Sequence, residues 1–399
     1  MNNSMKMKNL SLIKQRIRIL LTFTKSFIRT KLIKYPVLYN VNKRADANKR
    51  ERVLLAYLVP PFLGKIKNLH HNEIRNLLIS NALDKAGFIV DVIDVRAPRK
   101  PKIKEYKLAI CEWTEPKVKI DAKLHIFFAA GKSHKYHNLS IIKRYEMLKT
   151  RKKIHKIKPV GLLPERMPYV EISEYIIGIG NKKTIDDSYK DYKNIKKIFR
   201  LNNHVYKNTK FIKRKFSDVK NNFLFISSFH PVRGGLDLLL EIFPKYKNLN
   251  LFILGYFLHD KDFCHIYQRE LFETPNIHPI GFVNVLSREF YEISEKCGFV
   301  IVPTCSEGQS SSILQSCATG LIPITTKDSG IDVLEYNMGF EISDDINQIE
   351  KTILSVLEIP TKEIQDMSSN VYEKCVNNFS EEKFEENFQK IIEEIKNYI

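Results

Sequence analysis

Wholly apolar runs alternate along this chain with stretches whose apolar positions recur every three or four residues. RVLLAYLV (Arg52–Val59) is the first run, and PPFLG (Pro60–Gly64) turns the chain after it. Asn72–Gly87 then sets Ile74, Leu77, Leu78 and Leu83 on one stripe, which predicts a helix. FIVDVIDV (Phe88–Val95), KLAICEW (Lys107–Trp113) and LHIFFAA (Leu124–Ala130) predict further strands. A basic, loop-like stretch, 202–222, precedes a second series of the same kind. NFLFISS (Asn222–Ser228), LNLFILG (Leu249–Gly255), NIHPIGFV (Asn276–Val283) and GFVIVPT (Gly298–Thr304) read as strands, and LDLLLEIFPKY (Leu236–Tyr246) as a helix. Apolar strands separated by helices mean βαβ units and parallel sheets. Two such series predict two Rossmann-like, doubly wound α/β domains, with a cleft between the carboxyl ends of their sheets. The expected divisions are an extension over 1–50, domains over 51–205 and 206–379, and a C-terminal helix over 380–399 that opens on a capping Ser380.

The stretch CSEGQSSSILQSCATGLIPITT (Cys305–Thr326) interrupts the second series with polar chemistry. It follows one strand and precedes another, and Ile313, Leu314, Cys317 and Ala318 share a helical stripe that stops at Gly320. The loop therefore opens onto a helix N-terminus, where unpaired N–H groups suit an anion. The bland reading is that a serine merely caps the helix. Three serines beside an acid and a glycine favour a loop that faces a ligand in the cleft.

Charge alters the picture at one end only. Residues 1–50 hold thirteen Lys or Arg against one acid, Asp46, a net +12 of the chain's +20. Within them Asn9–Ile33 clusters Leu10, Ile13, Ile17, Leu20 and Leu21 at helical spacing. A basic amphipathic helix of this kind suits an anionic membrane surface; a helix packed on the body of the protein is the alternative. Nucleic acid is not expected, because the basic residues are interleaved with Leu and Ile rather than with stacking aromatics. Six scattered cysteines without a CxxC pair argue against structural zinc and a disulfide framework. With no apolar run of spanning length and no signal-like segment, a cytoplasmic protein is expected, peripheral on the inner membrane face if the arm docks there.

The residues of the second series resemble the retaining glycosyltransferases of glycosyltransferase family four, which have the two-domain GT-B architecture. The resemblance extends over roughly residues 52–375. It rests on Glu307, Gly308, Gln315, Gly320 and Pro323, which follow an E-G…E…G-x-P stretch with Gln315 at the second acidic position and one residue more between Gly320 and Pro323, and on FISSFHPVRGGLDLLL (Phe225–Leu240), which resembles a Gly-containing basic loop. It implies transfer of a sugar from a nucleotide-diphosphate sugar to a glycan or lipid-linked acceptor, without metal or other cofactor. Surface polysaccharide or glycolipid assembly is the implied setting. Arg233 and the N–H groups at Gly308–Ser311 would meet the diphosphate, and Glu307 the sugar hydroxyls. Gly234 and Gly235 would let backbone approach the ligand. Ser228, Gly255, Phe282, Val283, Gln309, Ser310 and Gln315 are the remaining implied donor contacts. In the first domain, Gly64 and Asn138 would lie on the acceptor side. His134 is the implied catalytic-site histidine, with His137 competing for the role, whereas His70 and His71 read as exposed polar residues.

Two positions depart from the family pattern. Gln315 stands where a second glutamate accepts the ribose hydroxyls, and Ser228 where a second cation is usual. They keep open a scaffold protein that retains the fold without donor affinity. An enzyme of the same architecture with other chemistry, such as a sugar-nucleotide epimerase, is disfavoured by Glu307–Gly308 together with Arg233.

Overall fold

The computed structural model describes residues 35–64, 69–95, 100–227 and 229–398. The amphipathic stretch expected over Asn9–Ile33 lies outside these residues. The apolar runs form two six-stranded sheets, in the orders β2-β1-β3-β4-β5-β6 and β12-β11-β10-β7-β8-β9. Strands β1 (Arg52–Tyr57), β2 (Ile89–Asp94), β3 (Tyr106–Cys111), β4 (Ala122–Ala129), β5 (Tyr175–Ile179) and β6 (Lys197–Leu201) make the first. The second comprises β7 (Asn222–Ile226), β8 (Asn250–Leu254), β9 (Ile277–Gly281), β10 (Phe299–Val302), β11 (Ile322–Thr326) and β12 (Phe340–Ile342). Every pairing within both sheets is parallel, as expected for strands buried on both faces.

Strand order sets where ligands can bind. In a doubly wound sheet the crevice opens where the direction of winding reverses, because the loops on either side then diverge. In the second sheet that point lies between β7 and β10. The loops following these strands carry Arg233 and Glu307 respectively. In the first sheet the reversal lies between β1 and β3, so Tyr57 and Glu112 flank it.

Helix α1 (His71–Lys85) buries Leu78, Ile79, Ala82 and Leu83 against the first sheet. Helix α2 (His134–Lys152) does something the alternation does not announce. Its Ile141, Tyr145 and Leu148 belong to the core of the second domain, beside Leu236 and Val302. It also carries Arg144, 1% exposed, whose Nη2 donates to the Pro303 carbonyl at 3.0 Å. Arg151 pairs with buried Asp237 and, at 3.1 Å, with Glu241. Burial raises the Asp237 carboxyl above its ordinary range, against the pull of Arg144 and Arg151. The second domain adds α3 (Leu236–Ile242), α4 (Arg288–Glu295), α5 (Ser311–Cys317), α6 (Ile346–Glu358) and α7 (Thr361–Asn378).

The acidic C-terminal segment forms α8 (Glu381–Lys396), and the Ser380 hydroxyl accepts from the Lys383 N–H at 3.1 Å, as the capping pattern predicts. Its Phe384, Phe388, Ile392 and Ile395 help fill the core of the first domain, although the segment follows the second domain in sequence. Lys85 of α1 pairs with Glu385 along this seam.

Candidate functional site

The carboxyl ends of the two sheets border a cleft of about 510 Å3. One wall is the second domain: Gly255, Tyr256, Phe282 and Val283 after β8 and β9, and Glu307 through Ser312 after β10. The facing wall is the first turn of α1, with His70, His71, Asn72, Glu73 and Arg75. A smaller cavity of about 250 Å3 adjoins it. It is lined by Glu112, Lys132, His134, His137, Leu163, Arg233, Glu307 and Gly308, among others. Ala130, Glu307 and Gly308 line both, so the acid of the E-G pair stands at the passage between them.

Arg233 lies in a single helical turn (Pro231–Gly234) after β7, and its Nη2 stands 3.4 Å from Glu307 Oε1. Both side chains are partly open to solvent, so the pair is held together more by the placement of its loops than by its own attraction. Gly308 lies against the first domain. A Cβ built there would stand 2.7 Å from the carbonyl carbon of Ala130 and 2.9 Å from the Ile179 oxygen, with the Ala130 oxygen closer still. Only glycine lets this loop touch the ends of β4 and β5.

Ser310 occupies the N-cap position of α5, but its side chain makes no capping bond; its hydroxyl lies 3.2 Å from that of Ser312. Capping therefore does not account for the serines, and Ser311 and Ser312 line the cleft. Helix α5 is only seven residues long, so its dipole is smaller than the sequence pattern implied. The side chain of Gln309 is spent inside the protein. Its Oε1 accepts from Asn203 N–H at 2.6 Å, and its Nε2 donates to Asn202 Oδ1 and Gly330 O, each at 3.1 Å.

Several expected contacts are elsewhere. Gln315 is fully buried. Its Oε1 accepts from Tyr206 N–H at 3.1 Å and its Nε2 donates to Thr209 Oγ1 at 2.6 Å, so it anchors the interdomain stretch and lines neither cavity. Gly234 and Gly235 line neither cavity. A Cβ on Gly235, whose φ is +84°, would stand 2.8 Å from the Pro303 carbonyl carbon, and one on Gly234 would stand 3.0 Å from Ser227 Cβ. Their smallness lets the basic loop pack on its neighbours rather than on a ligand. Asn138 exchanges two hydrogen bonds with the Leu163 backbone, at 2.8 and 2.9 Å, which engages both ends of its amide. Gly64 ends a 3-10 turn away from both cavities. Ser228 lies outside the described residues.

The two competing histidines separate clearly. His137 is 8% exposed, with Nδ1 2.9 Å from Ser306 Oγ and Nε2 3.0 Å from Gly161 O. Burial lowers its pKa to about 4, so it is neutral and serves as a strut between the domains. His134 engages the Pro164 carbonyl through Nδ1 at 2.5 Å, and burial lowers its pKa as well. Its other nitrogen has no protein partner among the described residues.

Three groups escaped the sequence reading. Lys132, two residues beyond the LHIFFAA run, has a side chain 6% exposed and reaches Asp328 Oδ1 at 2.5 Å and the Cys305 carbonyl at 3.1 Å. Arg75 of α1 pairs with Glu112 at the reversal point of the first sheet, and burial raises the Glu112 carboxyl despite that guanidinium. His71 is not the exposed residue expected: it is 4% exposed and packs on Tyr206 at 3.9 Å between ring centroids. Neither of its ring nitrogens has a hydrogen-bond partner among the described residues. Burial, then His204, pushes its pKa well down. No group of three or more metal-ligating side chains occurs among the described residues.

The architecture is that of the GT-B glycosyltransferases. The solved structures it matches include sucrose-phosphate synthase from Thermosynechococcus elongatus, at a TM-score of 0.60 and 12% identity over 88% of this chain and 100% of that one. Anabaena HepE in complex with UDP and glucose matches at 0.55 and 10% identity, over 87% of this chain and 100% of that one. TarM matches at 0.51 and 16% identity over 71% of this chain, which spans about half of TarM's length, 54%. Residues 220–358, which contain the whole second sheet, match the family model described as glycosyl transferases group 1. No curated protein sequence matches the chain. The structures share the fold, and the group 1 match is confined to the second domain.

Proposed function

We propose that this protein is a retaining glycosyltransferase that takes a sugar from a nucleotide-diphosphate sugar and transfers it to a glycan or lipid-linked acceptor without a metal ion. The observation that carries the reading is the Arg233–Glu307 pair, set at the winding reversal of the second sheet and at the passage between the two cavities. The nucleotide occupies the large cleft along Gly255, Phe282, Val283 and the Ser310–Ser312 turn. The diphosphate reaches Arg233, displacing the carboxylate from the guanidinium. Glu307 is then free to accept from sugar hydroxyls at the mouth of the smaller cavity. As the sugar–phosphate bond breaks, charge grows on the phosphate oxygens, where a guanidinium and backbone N–H groups stabilise it most. HepE, captured with UDP and glucose, supports a donor of this class.

In this reading His134 faces the transferred sugar, and His137 takes no part in chemistry because both its nitrogens are engaged. The acceptor enters through the smaller cavity. The basic residues 1–50 hold the protein to an anionic membrane face, in surface polysaccharide or glycolipid assembly. Calorimetric titration with UDP-, ADP- and GDP-sugars tests the central step: at least one should bind, and Arg233→Ala should abolish most of that affinity. Absence of binding by every donor would leave a scaffold that keeps only the fold.

A further inference from the structure

One loop that contributes to the wall of the smaller cavity combines exposed cations with exposed apolar side chains. Helix α2 is followed by KIHKIKPVGLLPER (Lys153–Arg166). Lys153, Lys156 and Lys158 are exposed, and among the described residues none of the three has an ion-pair partner. Val160, Leu162 and Leu163 follow at 40%, 44% and 39% exposure. Hydrogen bonds fix this loop along α2: His137 meets Gly161, Asn138 meets Leu163 and His134 meets Pro164. That alignment lays the loop beside Leu139 and Ile142, the apolar residues exposed on the same helix, at 53% and 40%. The result is a strip of large apolar side chains bordered by three unpaired lysines, with Leu163 reaching into the cavity wall.

We propose that this strip, Leu139, Ile142, Val160, Leu162 and Leu163 with Lys153, Lys156 and Lys158, docks on an anionic lipid surface and so turns the smaller cavity towards it. Apolar side chains flanked by cations suit the boundary between acyl chains and acidic headgroups, where each gains from a different layer. A water-facing role leaves five exposed aliphatic side chains on two adjoining elements unexplained, and contiguous patches of that kind mark interaction sites. A protein partner would need acidic residues to match the lysines; an anionic bilayer supplies charge without a specific register. The inference uses the proposed activity only for the direction in which the cavity opens, and its test does not measure activity.

The arm 1–50 is a second basic element, so the experiment must report on the loop itself. In the full-length chain, Trp113→Phe removes the single tryptophan and Leu162→Trp places one at the strip. With vesicles containing phosphatidylglycerol, the emission of residue 162 should shift to the blue and be quenched by brominated acyl chains. Neutral phosphatidylcholine vesicles should give neither effect. In the wild-type background, Leu139→Ser with Ile142→Ser and Leu162→Ser should lower partitioning onto the anionic vesicles at least tenfold. Lys156→Gln with Lys158→Gln should lower it about twenty-five-fold, each lysine contributing about fivefold, or ~1 kcal/mol. Vesicle binding with no change at residue 162 would overturn the proposal and leave the arm as the sole contact. An emission already blue without lipid would also overturn it, showing the strip covered by the chain's own residues or by a second copy. Sedimentation velocity tells those two apart.

Discussion

Replacing Gly308 by Ala tests whether the two domains meet as closely as the structure requires. The added Cβ would stand 2.7 Å from the Ala130 carbonyl carbon, about 1 Å inside ordinary carbon–carbon contact. The Ile179 oxygen at 2.9 Å blocks the sideways escape. Both obstacles are backbone at strand ends, so no side chain can rotate to make room, and the loop must lift from the first domain. Overpacking of this kind costs about 1–3 kcal/mol, and the upper end applies where backbone must move. At roughly 2–4 °C per kcal/mol for domains of 150–250 residues, the melting temperature should fall by about 6–12 °C. Gly131→Ala is the internal control. It faces the same contact, but its Cβ would find nothing nearer than the Gly308 nitrogen at 3.8 Å, an ordinary separation. It should change stability by no more than ~0.5 kcal/mol. Differential scanning calorimetry of both variants decides the matter: equal melting temperatures for Gly308→Ala and Gly131→Ala would refute the close approach.

Arg233→Ala should weaken nucleotide-sugar binding by about 1.5–3 kcal/mol, the worth of a hydrogen bond to a charged group, with urea stability unchanged; calorimetry reads the first and a denaturation curve the second. Glu307→Gln should depress affinity for the intact donor while sparing the free nucleoside diphosphate, which lacks the hydroxyls; equal losses would mean that the residue only shapes its loop. Stability should fall on acidification. His137 and His204 have pKa values lowered to about 4 in the folded chain, against ~6.5 when unfolded. Between those values the unfolded chain binds more protons, so their contribution is complete above pH ~6.5 and is lost as pH falls towards 4. The ceiling is on the order of 3 kcal/mol for each. Urea midpoints at pH 7 and pH 5 measure this, and His137→Gln should flatten the difference.

Sheet, helix and turn were legible because burial on both faces writes continuous apolar runs. LHIFFAA and GFVIVPT could hardly be anything else, and a run of helix-period residues between strands forces the parallel arrangement. That Glu307 and its serines line a cleft was legible for a similar reason: a loop with an acid, a glycine and three serines between two such runs has no apolar task to perform. Gln315 misled for the opposite reason. In sequence it occupies a motif position, but whether an amide points into a cleft or into its own protein depends on what packs above it. Here the stretch through Tyr206 and Thr209 comes down on it and takes both ends.

What the pattern could not express is contact between residues far apart in the chain. Arg233 and Glu307 are neighbours only because the second sheet reverses its winding between β7 and β10, and strand order is absent from the periodicity. The same holds for Arg75 and Glu112 in the first sheet, and for Lys132 of the first domain reaching Asp328 of the second. Helix α2 goes further. Its apolar residues recur as those of any surface helix do, yet they fill the core of the second domain. A helical stripe states that a face is buried, not against which sheet. With Ile141, Tyr145 and Leu148 in that core and Arg144 held by Pro303, the domains share an element instead of merely touching. Opening the cleft by a rigid hinge would then expose those apolar side chains and break the Arg144–Pro303 hydrogen bond. On the proposed activity, entry of a nucleotide is therefore better served by motion of the loops around Glu307 and α1 than by separation of the two halves.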